Sequence, residues 1–176
     1  MEEQWIREIQ RKGSRAAADQ LIRAQYDEIY RFVYRQIGHK EDAMDLTQSI
    51  FLAVLRALPT YRAERGTFRT WLYRIAANKV IDARRRARLS PLPLETVEVS
   101  SEEDFTARLQ DRAVLEQIEG FVSGLEPRVQ AVFRLRLYGG QSFQEIAAAL
   151  REPEAAVKSR YYRLLGRLRE EFDPHG

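Results

Sequence analysis

No stretch of this chain alternates apolar and polar residues at the period of a half-buried strand. Its apolar residues return every three to four positions instead, in segments closed by glycine or proline. From Ala16 to Gln36 the repeat runs through Leu21, Ile22, Ile29, Phe32 and Val33, and Gly38 supplies the stop. From Glu41 to Leu58 it runs through Leu46, Ile50, Phe51, Val54 and Leu55 until Pro59 ends it. Thr67 is placed to cap a third helix that continues to Arg88. Helical spacing resumes from Phe105 to Val122, and again from Pro127 to Tyr138, where Gly139 and Gly140 close it. The pattern predicts an all-α fold.

The segment SPLPLETVEVSSEE, within Leu89 to Glu103, carries two prolines, several serines and acids, and no sustained period. It reads as a flexible acidic linker between two small helical domains. The expected division is an N-terminal domain over residues 1–88, a linker over 89–104 and a C-terminal domain over 105–176; a chain of 176 residues accommodates two small cores.

Charge follows the same division. Between Pro59 and Arg88 nine lysines and arginines face only Glu64 and Asp82, a net +7. Between Leu89 and Asp111 six acids face Arg108 alone, a net −5. A basic block followed by an acidic tether points to a surface that binds a polyanion. Cysteine is absent, which removes disulfides and thiolate metal sites. The only histidines, His39 and His175, lie far apart and outside any cluster with metal or nucleophile spacing, so no enzyme, metal or cofactor is expected. The start, MEEQWIREIQRKG, is acidic and polar where a signal peptide is basic and then apolar, and the expected location is the cytoplasm.

The run SFQEIAAALREPEAAVKSRYYRLLGRLREEF carries the sharpest local pattern. Ser142 and Glu145 form a capping box, followed by Phe143, Ile146, Ala147 and Leu150 at helical spacing. After a short turn Pro153 opens a second helix, with Val157, Tyr161, Leu164, Leu165 and Leu168 directed inward. Lys158, Ser159, Arg160, Tyr162 and Arg163 are left on its outer face. This is a helix-turn-helix whose second helix has the side chains to read a major groove.

This C-terminal run resembles the promoter-binding domain of extracytoplasmic-function (ECF) sigma factors of the sigma-seventy family. The earlier segment EDAMDLTQSIFLAVLRALPTYRAERGTFRTWLYRIAANKVIDARRR is similar to the N-terminal core domain of the same group, and the two matches span roughly residues 16–88 and 110–172. The resemblance implies a protein that binds core RNA polymerase, recognises an alternative promoter, assists strand melting and directs initiation. It implies docking of Asp45, Gln48, Ser49 and Leu52 on the β′ coiled coil, with Ser49 where an acid is common, and contact of the C-terminal domain with the β flap. It places the start-proximal element, held as a melted single strand, at Tyr61, Arg62, Arg65, Phe68, Trp71, Arg74, Asn78, Lys79, Arg84 and Arg85. The loop Thr60–Thr67 would pocket a flipped base, and the upstream element would be read as duplex by Lys158, Ser159, Arg160, Tyr162 and Arg163. An anti-sigma partner is implied as well. The linker is expected to enter the polymerase channel.

Trp71 remains open between a wedge in the duplex and a buried anchor against Phe51 or Phe32. Two departures from the family pattern bear on the helix-turn-helix: Arg151 replaces the usual turn glycine, and Ala155-Ala156 replace a Gly-Thr pair. They suggest a turn made without a residue that favours positive φ, and a tilted recognition helix. The competing functional reading is a stand-alone helix-turn-helix regulator, which would bind duplex DNA without polymerase.

Overall fold

The computed structural model describes residues 1–87 and 112–172, and every regular element in them is helical. The expected linker, and the start of the helix expected from Phe105, lie outside the described residues. Eight α-helices appear among those described: α1 (Glu2–Lys12), α2 (Arg15–Ile37), α3 (Lys40–Ala57), α4 (Phe68–Ala87), α5 (Arg112–Val122), α6 (Pro127–Leu137), α7 (Phe143–Leu150) and α8 (Glu154–Phe172). Two short 3-10 turns, Leu58–Thr60 and Ala63–Arg65, carry the chain from α3 to α4. None of these helices is long and apolar enough to cross a membrane.

The stops act where the sequence puts them. Gly38 ends α2 in the left-handed region, and its N–H reaches the Tyr34 carbonyl. Thr67 Oγ1 accepts from the Thr70 N–H at 3.2 Å, so it caps α4. At the end of α6 a Cβ on Gly139 would lie 2.7 Å from the Leu135 carbonyl oxygen, and Gly140 follows at φ 60°. Neither position favours a larger residue.

The first lobe packs α2, α3 and α4 around Leu21, Ile29, Val33, Ile50, Val54, Leu72, Ala76 and Val80, all buried. The second packs α5 to α8 around Ile118, Val132, Phe133, Ile146, Val157, Leu164 and Leu168. No helix is expected before Ala16, yet α1 lies across α2 and against the first 3-10 turn. Trp5, Ile6 and Ile9 supply its apolar side, a spacing legible in hindsight.

The lobes also pack on each other, α4 against α6 and α7, where the sequence suggests only two bodies on a tether. Polar groups fill part of this junction. Arg134 of α6 is fully buried; its guanidinium donates to both Glu119 carboxylate oxygens at 3.2 Å and to Gln36 Oε1 of the first lobe at 3.2 Å. Tyr138 also donates to Glu119, at 2.6 Å, and burial followed by that carboxylate pushes its phenol well above the ordinary range. A buried arginine is tolerable only with such pairing.

Candidate nucleic-acid interface

The loop between α3 and α4 is held by its own side chains. Arg62 turns its guanidinium back to donate to the carbonyls of Pro59 at 2.7 Å and Tyr61 at 2.9 Å. The Tyr61 hydroxyl donates across the loop to the Gly66 carbonyl at 3.2 Å. Its ring sits 5.7 Å from Phe68 and 5.3 Å from Trp71, and Phe68 lies 5.7 Å from Trp71. Tyr61 and Phe68 are buried, whereas Trp71 is half-buried.

Trp71 does not take the anchor against Phe51 or Phe32 that the sequence offers as one alternative. Its ring partners are Tyr61 and Phe68; Phe32 instead meets Tyr73, edge to face at 5.2 Å, and Phe51 meets Tyr26. Tyr73, the other aromatic residue of the basic helix, is buried and donates to Glu28 at 2.6 Å. Most aromatic surface on α4 therefore builds the scaffold behind the cations.

The cations divide into two groups. Arg62, Arg65 and Arg85 are exposed, as is Asn78, and Lys79 is half-buried. Arg85 pairs with Asp82 at 3.1 Å. Arg84, expected at the start-proximal element, faces inward in this arrangement. Its side chain turns into the lobe junction, 3.5 Å from Glu119 and 3.3 Å from Ser123 Oγ. Trp71, Arg74, Arg62 and Arg65 line a narrow cleft whose opposite wall is Ala149 and Arg151 of the second lobe. Burial, and then the Arg151 charge, lower the Arg74 guanidinium from its ordinary range. Two like charges converge there.

In the second lobe the capping box forms in both directions: the Glu145 N–H donates to Ser142 Oγ at 3.1 Å and the Ser142 N–H to Glu145 Oε2 at 2.8 Å. The turn is made without a glycine, as expected, and it is still left-handed. Arg151 itself takes φ 55° and ψ 46°, so the left-handed residue is present without a glycine, and its N–H caps α7. On α8, Lys158, Ser159, Tyr162 and Arg163 are exposed. Tyr162 is 60% exposed, with its ring edge supported by Phe143 at 5.8 Å. Arg160 differs from its neighbours: it is mostly buried and paired with Glu152, which Arg128 also reaches at 3.3 Å.

A third face lies on α3. Asp45, Gln48, Ser49 and Leu52 are all exposed, with Leu52 at 55% and the neighbouring Met44 at 38%. A polar ridge with two apolar studs suits a protein contact.

Two family models match this chain: Sigma-70 region 2 over residues 21–89 and Sigma-70 region 4 over residues 115–168. The ECF RNA polymerase sigma factor SigE of Mycolicibacterium smegmatis is 33% identical over 161 residues, 89% of this chain and 62% of that protein. The RNA polymerase sigma-E factor of Streptomyces avermitilis is 31% identical over 157 residues, 88% of this chain and 84% of that protein. The chain belongs to the ECF group of the sigma-70 family. It spans less than two thirds of the SigE relative's length. A solved structure of CnrH in complex with the cytosolic domain of CnrY shares the fold, with a TM-score of 0.61 at 24% identity, over 99% of this chain and 96% of that one. Within this sigma-70 family chain the region 2 match takes in α3, the loop and α4, and the region 4 match takes in the helix-turn-helix. The helix α1 precedes both.

Proposed function

We propose that this chain binds core RNA polymerase in the cytoplasm and directs it to an alternative promoter read at two separated elements. The observation that carries the reading is the presence in one chain of two different kinds of nucleic-acid surface. One is a basic loop and helix backed by aromatic rings, and the other is a capped helix-turn-helix with an exposed outer face. A melted strand needs phosphate neutralisation and a shaped pocket for an extruded base, which Arg62, Arg65, Arg74 and the loop Thr60–Thr67 offer. Asn78 adds an exposed amide able to pair with a base edge. A duplex element needs side chains at major-groove depth, which Lys158, Ser159, Tyr162 and Arg163 offer.

The exposed ridge Asp45, Gln48, Ser49 and Leu52 is the docking face for the β′ coiled coil, and the second lobe engages the β flap. Strand entry over Trp71 and Arg74 requires the place that Ala149 and Arg151 occupy, so the lobes part on loading. An anti-sigma partner would act by occupying these same surfaces.

The test is transcription in vitro with purified core polymerase on a randomised promoter library, sequencing transcript starts with and without the protein. New starts sharing two elements at fixed spacing are expected. No new starts, together with duplex binding in the absence of polymerase, would overturn the reading in favour of a stand-alone regulator.

A further inference from the structure

The helix α1 lies ahead of the region 2 match, and it reaches directly into the loop that the functional reading assigns to the start-proximal element. Its Ile6 is buried, Trp5 and Ile9 pack against the core, and Gln25 of α2 donates to Glu2 at 2.7 Å. These contacts anchor the helix to the first lobe. From that anchored position Gln10 Nε2 donates to the Leu58 carbonyl at 2.9 Å and to the Tyr61 carbonyl at 3.2 Å.

One amide therefore spans the 3-10 turn at which the loop begins. The Tyr61 carbonyl is also the acceptor for Arg62 at 2.9 Å, so Gln10 and Arg62 converge on one oxygen. Through its own hydroxyl Tyr61 grips the far end of the loop at Gly66, and its ring supports Trp71. Moving the Tyr61 backbone would shift the Arg62 guanidinium, the loop's closing bond and the Trp71 partner together. We propose that Gln10 is a positioning residue for base recognition: it fixes the register of the loop from a helix outside the family match, and so sets how sharply the start-proximal element is discriminated. The proposal rests on the reading that loop Thr60–Thr67 holds a base.

Chemistry supplies a separable set of variants. Gln10→Ala deletes both donors. Gln10→Glu keeps the shape but sets a carboxylate against two carbonyl oxygens. Gln10→Lys keeps donors at similar reach. An exposed helix position accepts all three without a core change, which thermal unfolding would verify. The experiment measures holoenzyme affinity for forked promoter DNA bearing the preferred start-proximal base and each of its three replacements, alongside affinity for core polymerase.

The loss of up to two net hydrogen bonds predicts that Gln10→Ala and Gln10→Glu reduce the discrimination ratio by about tenfold, while Gln10→Lys stays within about twofold of wild type. Core affinity should not move. Unchanged discrimination in Gln10→Glu, with a wild type that discriminates and loses this on Arg62→Ala, would overturn the proposal and leave the loop reading standing. Equal loss in Gln10→Glu and Gln10→Lys would also overturn it, because the donors would then not matter. A wild type indifferent to start-proximal sequence and to Arg62→Ala would overturn the loop reading and this inference with it.

Discussion

The two proposed nucleic-acid surfaces use the same residue types in opposite ways. On the first lobe the aromatic side chains turn inward: Tyr61 and Phe68 are buried, Trp71 is half-buried, and all three lean on one another. On the second lobe Tyr162 stands out at 60% exposure from a helix whose inward side is packed separately by Val157, Leu164 and Leu168. The first surface is therefore a shaped loop whose geometry depends on its core, and the second is a straight helix displaying side chains. A melted strand has no fixed form of its own, so its site must be preorganised; a duplex brings its groove with it.

The largest test of this contrast compares Phe68→Ala with Tyr162→Ala. Removing a buried aromatic side chain costs ~3–5 kcal/mol, and here it also withdraws support from Tyr61 and Trp71. Phe68→Ala should lose stability and single-strand binding together, as read by denaturant unfolding and forked-DNA binding. Tyr162→Ala should change stability by less than ~1 kcal/mol yet weaken binding to the upstream element about tenfold. A Tyr162 variant that unfolds, or a Phe68 variant that stays stable but fails on the melted strand, would break the contrast.

A middle-sized effect concerns the turn that aims the recognition helix. Arg151 sits at φ 55°, and a left-handed non-glycine residue carries a steric cost of ~1–2 kcal/mol. Part of that cost returns as unfolded-state entropy when glycine replaces it, so Arg151→Gly should stabilise the protein by ~1 kcal/mol. The same substitution removes the like charge facing Arg74. Unfolding in denaturant reads the gain directly. No gain would mean that the arginine side chain makes compensating contacts.

The sequence made the helices legible because their stops are local chemistry. Gly38, Thr67, the Ser142–Glu145 box and Gly139-Gly140 act within one turn of where they stand. It also exposed the α3 ridge and the outer face of α8, since helical spacing separates inward from outward positions. What it hid depends on contacts distant in the chain. Arg84 reads as one of a run of arginines, and only folding brings it beside Glu119. Arg160 shares the outer face of α8 by spacing, yet Glu152 draws it down. Tyr61 and Phe68 look like loop aromatics, yet both are buried and their rings pack on each other and on Trp71. Arg134, Glu119 and Gln36 lie 98 residues apart at the extremes, and no periodicity predicts that a charge will be satisfied in the junction between lobes. The helix α1 is hidden for a simpler reason: charged and polar residues dominate it, and they mask a spacing that Trp5, Ile6 and Ile9 do carry.

The smallest prediction tests whether the scaffold behind the first surface is tuned by charge as well as by packing. Glu28 accepts from the Tyr73 hydroxyl and from Arg69 Nη2, each at 2.6 Å, and so ties the buried face of α4 to α2. Burial pushes the Glu28 carboxyl up, but the hydrogen bonds from Tyr73 and Arg69 and the Arg69 charge outweigh it and hold the group below its ordinary range. A folded value below the unfolded one adds stability that is complete above the unfolded carboxylate pKa of ~4.3 and fades as pH falls through the folded value. Arg69 and Glu28 are each about two-fifths exposed, so solvent screening limits the contribution to under ~1 kcal/mol. Thermal midpoints of wild type and Glu28→Gln, followed from pH 7 toward pH 3, should therefore converge as the carboxylate protonates. Parallel curves would show that packing around Tyr73 alone holds this side of the helix, and would sharpen the contrast further by leaving charge to the outward faces.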